Sequence, residues 1–316
     1  LVEIAPGVPE LYWNIHTYIR SYLHERTFYV AVGNSKTTPR AIAAGVPQGS
    51  LLGPTLFNVY INDVPTTPNT HMALFADDTC IYAPSWNPAK SVEYIQRHLD
   101  LLEPWLSSWK IKINAAKSEA VYFTRRRSHP TTTPKIFNCK IEWSKSAKYL
   151  GVILDNKLTF GKHIETQCGK ALGIINKIKP LLGSTQLNTR TKIVLSTALT
   201  GPILTYGAPA WGHAAQIHLK KLQTLQNRTI RIITNTWGFQ HISPIRQQLN
   251  IESIKDIILN MTNKFYNRSR TNSNQLISRL MRHISITSTN VHFIFSGQTP
   301  NRNFFIIMNF TKTSVA

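Results

Sequence analysis

The stretch that decides the fold runs from His71 to Ala83 and reads His-Met-Ala-Leu-Phe-Ala-Asp-Asp-Thr-Cys-Ile-Tyr-Ala. Two short apolar runs flank the adjacent acids Asp77 and Asp78, and this pattern predicts a tight β-hairpin with the carboxylates at its tip. Two such charges about 4 Å apart repel by about 4 kcal/mol at an effective dielectric constant near 20, so cations would stabilise the pair. Mg²⁺ prefers carboxylate oxygens. On the dipeptide alone, however, a water-exposed turn is the better interpretation, because aspartate is a common turn residue.

A segment rich in glycine and proline precedes this hairpin and reads Gly-Val-Pro-Gln-Gly-Ser from Gly45 to Ser50. Glycines allow the backbone to approach a ligand closely, and Gln48 can hydrogen-bond to the edge of a base or sugar. Pro54 predicts the first turn of a helix that runs to about Ile61, and the start of that helix offers amide donors. A plain connection from loop to helix is the alternative interpretation.

The remaining pattern predicts an α+β region followed by a helical one. Helical spacing of apolar residues covers 11–23 and 91–109, and apolar runs predict strands at 28–32, 111–113, 120–123 and 148–154. After about residue 160 the pattern is that of amphipathic helices, with Gly and Pro breaks near 180–183 and 201–209. It fades at about residue 283, and Val291–Phe295 and Phe304–Met308 are apolar islands in the tail.

The net charge of +21 is unevenly distributed along the chain. Residues 1–103 contain 6 Lys and Arg against 9 Asp and Glu, whereas residues 104–190 contain 16 against 4 and residues 191–316 contain 14 against 2. A basic surface of this extent usually faces a polyanion, although a ribosomal-type or histone-like protein would show it too. An acidic N-terminal third followed by a basic remainder favours metal ligands at one place and a nucleic-acid-binding surface elsewhere.

The sequence disfavours a membrane protein and a disulfide-rich or zinc-binding protein. No window holds the roughly 20 apolar residues of a membrane span, so we expect no membrane partner. Three widely separated cysteines, Cys80, Cys139 and Cys168, suit neither a disulfide framework nor a zinc site, and a reducing compartment explains them more simply.

With these motifs in place, the chain resembles a known family. Phe75-Ala76-Asp77-Asp78 is similar to the Phe/Tyr-x-Asp-Asp box of reverse transcriptases, in the form typical of non-LTR retrotransposons of the jockey-like group. The segment from Gly45 to Pro54 resembles that family's Gly-x-Pro-Gln-Gly box, and Leu56–Asn58 and Tyr60–Asp63 match its usual continuation. Both boxes occur in order and at the family's spacing. The resemblance covers about residues 10–282.

The resemblance implies a fold and an activity. The expected fold is α+β: an incomplete right-hand polymerase palm with a small antiparallel sheet over residues 1–158, a basic α-helical thumb over 159–282, and an unassigned tail over 283–316. The expected activity is RNA-directed DNA polymerisation with two Mg²⁺ ions. The implied partners are an RNA template, a DNA primer and dNTPs, and the implied location is intracellular, in nucleus and cytoplasm as a ribonucleoprotein. A group II intron maturase shares the palm, but the Phe-Ala-Asp-Asp form favours the retrotransposon.

The resemblance also implies site residues. Asp77 and Asp78 would be catalytic and hold the metals. Lys117, within a segment similar to the one that closes over the nucleotide, would act near the triphosphate as a general acid, with a solvated surface lysine as an equally weighted alternative. The template and nucleotide pocket would be lined by Gly45, Pro47, Gln48, Gly49, Ser50, Phe75 and Ala76. The primer grip would be formed by Tyr149, Leu150 and Gly151, for which an ordinary buried strand is the alternative.

One element of the family pattern has no match in residues 1–44. Reverse transcriptases carry a third carboxylate there, in the pattern Asp, four residues, then an aromatic residue and Asp, but the acids present are Glu3, Glu10 and Glu25. Because this pattern has no match, we expect the chain to start after that strand, to lack the fingers as well, and to polymerise weakly or not at all alone. A non-catalytic nucleic-acid-binding remnant of a mobile element is therefore the competing hypothesis.

Overall fold

The structure is a computed structural model. It describes residues 10–42, 45–47, 49–124, 130–236, 238, 240–275, 277–278, 284–286, 291–293 and 303–312, with backbone alone for some of these. None of the described helices is long and apolar enough to cross a membrane.

The first part of the chain mixes helices with short antiparallel strands, which confirms the α+β prediction. Its helices are α1 (Glu10–Leu23), α2 (Gly53–Tyr60) and α3 (Pro88–Ser108). The strands before α3 are β1 (Thr27–Phe28), β2 (Ala31–Val32), β3 (Ser35–Lys36), β4 (Arg40–Ala41), β5 (His71–Phe75) and β6 (Asp78–Pro84). The strands after α3 are β7 (Ile111–Ile113), β8 (Glu119–Phe123), β9 (Lys135–Ile136), β10 (Cys139–Lys140), β11 (Ser146–Tyr149) and β12 (Val152–Asp155).

The second part is helical, as expected. Its elements are α4 (Gly161–Gly183), α5 (Thr189–Leu204), α6 (Ala208–Trp211), α7 (Gln216–Thr234), α8 (Ile242–Gln248) and α9 (Ile254–Arg270). The predicted breaks fall where α4 ends, at Gly183, and between α5 and α6. Three further strands follow: β13 (Ile284–Ile286), β14 (Val291–Phe293) and β15 (Asn303–Lys312).

Helix α3 packs against one face of the main sheet, which contains β5 and β6. Asn87 caps it by accepting a hydrogen bond from the backbone N of Ala89 at 2.9 Å, which satisfies one of the unpaired donors of the first turn. The apolar face carries Ile95, Leu99, Leu102 and Leu106, all fully buried against Ile81, Ala83 and Ala120 of the sheet. The helical spacing read from the sequence therefore identified the buried face.

The main sheet has its long central strand near the C-terminus of the chain. Strand β15 pairs antiparallel with β6 on one side, in a register that sets Ile306 opposite Ile81 and Asn309 opposite Asp78. On its other side it pairs with β8 and β7. The apolar island Phe304–Met308, which the sequence left unassigned, thus lies in the centre of the sheet.

Two strand predictions were wrong in detail. Residues 28–32 do not form one strand, because β1 and β2 pair with different partners, β4 and β3. Residues 148–154 do not run on as a single strand either: β11 and β12 form an antiparallel hairpin that turns at Leu150 and Gly151. Both turn residues have positive φ, 45° and 82°, which suits a two-residue hairpin turn, and glycine adopts such angles at little cost.

The hairpin β11–β12 joins two hydrophobic cores. Ala147 and Tyr149 pack with Cys80 and Val121 on the face of the main sheet opposite α3. Val152 and other residues of β12 pack on the core of the helical part, which is built around α4, α6, α7 and α9. The α+β and helical parts are therefore packed together through this hairpin.

The Asp155 side chain stabilises the connection between β12 and α4. Its Oδ1 accepts hydrogen bonds from the backbone N of Lys157 at 3.2 Å and of Thr159 at 3.0 Å. Its Oδ2 accepts from the Thr159 hydroxyl at 3.1 Å and from the backbone N of Phe160 at 2.7 Å. Four donors converge on one carboxylate, and hydrogen bonds to an ionised group are stronger than neutral ones.

We predict that Asp155→Ala lowers the free energy of unfolding by about 2 to 3 kcal/mol, because several charge-assisted hydrogen bonds are lost together. Asp155→Asn keeps an acceptor oxygen and should lose about half as much. Urea unfolding followed by circular dichroism measures both. Asp100→Ala, at an exposed acid on α3, is the control and should stay within about 0.5 kcal/mol of wild type. Equal losses at positions 100 and 155 would contradict the capping role.

Candidate active site

The acidic hairpin forms as the sequence predicts. Strands β5 and β6 pair with Phe75 opposite Asp78, so the two-residue turn consists of Ala76 and Asp77. Ala76 has a φ of 50°, a left-handed conformation that a tight hairpin turn requires. Asp77 is exposed in the turn, Asp78 is half-buried as the first residue of β6, and the Phe75 side chain is 64% exposed. The turn thus presents two carboxylates and one aromatic ring to the solvent.

Asp78 is the carboxylate of the pair that its surroundings perturb. Partial burial, followed by the negative charge of Asp77, raises the pKa of the Asp78 carboxyl above its ordinary value. In the described part of the chain, neither acid has a Lys or Arg within ion-pair distance; the ion pairs found there join other residues. The repulsion between the two acids is therefore not relieved by the cations that the structure describes.

Tyr149 packs on the same face of the sheet as Cys80, and the charge of Asp78 contributes to its pKa. Burial raises the pKa of its phenol to about 12, with smaller contributions from Cys80 and from the charge of Asp78. Burial likewise raises the pKa of the Cys80 thiol to about 12, so both groups are neutral near pH 7. The structure thus brings one residue of the expected primer grip into the electrostatic field of one expected metal ligand.

The loop before α2 takes the conformation that its glycines allow. Gly45 and Gly49 have φ values of 85° and 78°, in the left-handed region. The Ser50 hydroxyl accepts a hydrogen bond from the backbone N of Gly53 at 3.0 Å, which closes the loop onto the start of α2. The prediction for Gln48 lies outside the described residues.

Helix α2 follows this loop and packs on the hydrophobic core that also contains Ile81 of β6. It begins with Pro54 in its first turn, as predicted, and Phe57 and Tyr60 pack on the cluster that contains Ile81 and Ile95. The Tyr60 hydroxyl also donates a hydrogen bond to the Trp109 carbonyl. The Gly45–Pro54 segment and the hairpin with Asp77 and Asp78 are therefore connected through one hydrophobic core.

Lys117 lies in a short helical segment between β7 and β8. It ends a short 3₁₀ helix, Ala115–Lys117, where its backbone N donates to the Asn114 side chain at 3.1 Å. Its side chain is exposed, and no ion pair to Asp77 or Asp78 is formed within the described residues. A role near the triphosphate therefore stays a prediction.

The side chains at the turn determine whether a metal ion could bind there. In the described part of the chain, no group of three or more His, Cys, Asp or Glu side chains converges as a metal site. Two adjacent carboxylates at an exposed turn nevertheless fit Mg²⁺, which is commonly held by one or two carboxylates together with substrate phosphates and water. Asp77 and Asp78 would hold such an ion.

One residue that contacts the expected primer grip was missed by the sequence reasoning. The Tyr206 hydroxyl, from the segment between α5 and α6, donates a hydrogen bond to the Leu150 carbonyl at 3.0 Å. Tyr206 is separated from the turn by more than fifty residues, and nothing in the local pattern pairs it with that turn.

We predict that Asp78→Asn raises the free energy of unfolding at pH 7 in EDTA, by at most about 1 kcal/mol, because solvent around the exposed Asp77 screens the pair. The sign follows from linkage: a carboxyl whose pKa is higher in the folded state destabilises that state once it ionises. The advantage of the variant should shrink as the pH falls and the wild-type acid is protonated. Thermal unfolding between pH 3.5 and 7 measures it, with Asp100→Asn as the control. A variant less stable than wild type at pH 7 would contradict the raised pKa of Asp78, which burial and then the charge of Asp77 cause.

Comparison with known proteins gives the family. Residues 7–154 match the family model described as reverse transcriptase (RNA-dependent DNA polymerase). The chain is 33% identical over 282 residues to the RNA-directed DNA polymerase from mobile element jockey of Drosophila melanogaster, which covers 86% of this chain and 30% of the relative. It is 32% identical to a probable RNA-directed DNA polymerase from transposon BS of the same organism, covering 83% of this chain and 30% of the relative.

A third relative, the probable RNA-directed DNA polymerase from transposon X-element of Drosophila melanogaster, is 31% identical over 89% of this chain and 31% of its own length. No solved structure matches. The chain spans about a third of the length of these relatives. The segment that matches the family model includes the hairpin with Asp77 and Asp78, the loop before α2 and all but the last residue of the hairpin β11–β12. We conclude that the chain belongs to the reverse transcriptase family of non-LTR retrotransposons of the jockey kind.

Proposed function

We propose that this chain carries the catalytic hairpin of an RNA-directed DNA polymerase, which adds deoxynucleotides to a primer 3′-OH on an RNA template by two-metal phosphoryl transfer. The observation that carries the proposal is the pair Asp77 and Asp78 at the tip of an exposed hairpin, with no compensating cation among the described residues. In this view residues up to about 158 form the polymerase palm, whose sheet is completed by β15, and the helices that follow form the thumb.

The residues have distinct parts in the proposed reaction. Bound Mg²⁺ would activate the attacking 3′ oxygen and stabilise the leaving pyrophosphate. Asp77 and Asp78 would hold the metal and fix its position relative to the sheet. Tyr149, a neutral phenol next to the acidic hairpin, would lie against the primer end together with Leu150 and Gly151. Catalysis of this kind depends on positioning and charge stabilisation more than on covalent chemistry by the protein.

The loop before α2 would contribute to the template and nucleotide pocket. Gly45 and Gly49 hold the backbone in the left-handed region, where the absence of a side chain leaves the peptide groups open to a ligand. Pro47, Gln48 and Ser50 belong to the same proposed pocket, as do Phe75 and Ala76 on the hairpin. Lys117 keeps its proposed role as a general acid only if substrate binding moves its exposed side chain.

We further propose that this chain polymerises weakly alone. The described residues bring two carboxylates together, and no third His, Cys, Asp or Glu side chain among them joins the pair. The second candidate function, a non-catalytic nucleic-acid-binding protein, is favoured by the same observation together with the basic helices.

Primer extension on poly(rA)–oligo(dT) with Mg²⁺ tests the proposed reaction. We expect slow extension by the wild-type chain and a loss of more than about 100-fold in Asp77→Ala/Asp78→Ala, because even outer-shell partners of a metal are worth about 10- to 100-fold. Asp100→Ala is the matched control and should extend like wild type.

Two outcomes of this assay would count against the reaction. Extension that persists in the double variant would show that these acids are not the metal ligands. No extension from any variant, with binding to the duplex retained, would favour the non-catalytic candidate.

The nucleic-acid partner follows from the charge of the helical part. Exposed cations recur along it, among them Lys170 and Lys177 on α4, Lys220 and Arg228 on α7, and Lys264 and Arg268 on α9. Acids are few in this part, and Glu165 is already paired with Lys221. We propose that these helices hold an RNA–DNA duplex by its phosphates, with little sequence preference.

We predict that the affinity for an RNA–DNA duplex falls steeply with salt concentration, because each neutralised phosphate releases counterions. In Lys170→Gln/Lys177→Gln, two exposed positions seven residues apart on α4, the slope of log K against log salt should fall by about 1 to 2. Fluorescence anisotropy at 50 to 300 mM salt measures it. Lys90→Gln on α3 is the control. A slope reduced by the control and unchanged by the α4 variant would move the duplex to the other part of the chain.

A further inference from the structure

We infer that Tyr206 is a positioning residue, which fixes the Leu150–Gly151 turn and thereby places the primer 3′ end relative to Asp77 and Asp78. The inference rests on the proposed function. It concerns a residue of the helical part that lies far from the acidic hairpin in sequence and contacts the turn directly.

The contact between Tyr206 and the turn has two components. The Tyr206 hydroxyl donates a hydrogen bond to the Leu150 carbonyl at 3.0 Å. Its ring lies flush against Gly151: a Cβ added to that glycine would be 2.7 Å from the ring Cε1 and 3.0 Å from the hydroxyl oxygen. Position 151 therefore requires glycine twice over, because of its φ of 82° and because of this close approach.

Tyr206 is itself held from the buried side. Its carbonyl accepts a hydrogen bond from the indole N–H of Trp211 at 2.7 Å, and Trp211 is completely buried in the helical core. The next residue, Gly207, packs on Val152 of β12, since a Cβ there would lie 2.9 Å from the Val152 Cγ2. The position of the ring is thus set by the core of the helical part.

The rest of the hairpin is held by other contacts. The backbone N of Ile153 donates to the Nδ1 of His163 on α4 at 3.3 Å, and the His163 ring lies 5.6 Å from the Trp211 ring. On the other side, Ala147 and Tyr149 pack on Cys80 and Val121 of the sheet. These contacts hold the strands, whereas the Tyr206 ring and hydroxyl contact the turn, which is the part proposed to meet the primer.

The chemistry of Tyr206 suits positioning rather than catalysis. Its side chain is half exposed, and its hydroxyl donates to a backbone carbonyl rather than facing a carboxylate. Removing the hydroxyl should leave duplex binding by the basic helices intact. It should loosen the turn, and a loosened turn would place the primer end less accurately.

The test uses the full chain and an RNA–DNA primer–template that carries 4-thiothymidine at the primer 3′ terminus. Ultraviolet cross-linking followed by peptide mapping reports how often the primer end contacts residues 149–152. Three variants are compared with wild type: Tyr206→Phe, which removes the hydroxyl alone, Tyr206→Ala, which removes the ring as well, and Tyr266→Phe. The last is the control, because the buried Tyr266 also donates its hydroxyl to a backbone carbonyl, at 3.1 Å, but that carbonyl belongs to Pro209 of α6 and not to the Leu150–Gly151 turn.

We expect Tyr206→Phe to lower the yield of the cross-link at residues 149–152 by about 2- to 10-fold, the range that one lost hydrogen bond allows. Tyr206→Ala should lower it further, and duplex affinity should stay within about 2-fold for both. Amide hydrogen exchange at residues 150–153 of the free chain should be faster in both Tyr206 variants. Tyr266→Phe should change neither readout.

Each remaining outcome has a distinct meaning. A wild-type cross-link at residues 149–152 that is unchanged in both Tyr206 variants would overturn the positioning role and leave the proposed function standing. An equal loss in Tyr266→Phe would show a general effect on folding and would overturn it as well. A wild-type chain that binds the duplex without any cross-link at 149–152 would overturn the proposed primer grip, and the positioning role with it.

Discussion

The hairpin from Ser146 to Asp155 is the constraint on which the arrangement of this protein depends, because it belongs to two hydrophobic cores at once. One strand packs on the face of the sheet that carries Cys80, and the other packs on the helical core around Trp211. A two-stranded hairpin is marginal by itself in water, so its conformation is imposed from both sides. The carboxylate of Asp155 then fixes the chain direction into α4 through four hydrogen bonds.

The distribution of charge follows the same division. The acidic hairpin projects from the α+β part, and the exposed cations recur on the helices beyond residue 160. Ion pairs are few within the described residues, so most of this charge faces solvent and is available to a polyanion. Tyr149 lies on the hairpin that joins the two parts, and burial, then Cys80 and then Asp78 raise the pKa of its phenol.

The main sheet shows how far apart in sequence the partners of one site can be. Strand β6, which begins at Asp78, pairs with β5 through a two-residue turn and with β15 more than 200 residues later. Local pairing is cheap in loop-closure entropy, whereas the distant pairing depends on the whole domain having folded. The hairpin with the two acids is thus locally encoded, while the sheet that supports it depends on the far end of the described chain.

The sequence by itself determined the local features of this protein. The alternation around Asp77 and Asp78 predicted the hairpin, the spacing of Ile95, Leu99, Leu102 and Leu106 predicted the buried face of α3, and Pro54 predicted the start of α2, because each depends on neighbours a few residues away. Tertiary structure decided the rest. Residues 148–154 read as one apolar strand, but the conformation at Leu150 and Gly151 makes them a hairpin. The pairing of β15 and the contact of Tyr206 with Gly151 arise from packing between distant segments, which no local periodicity encodes.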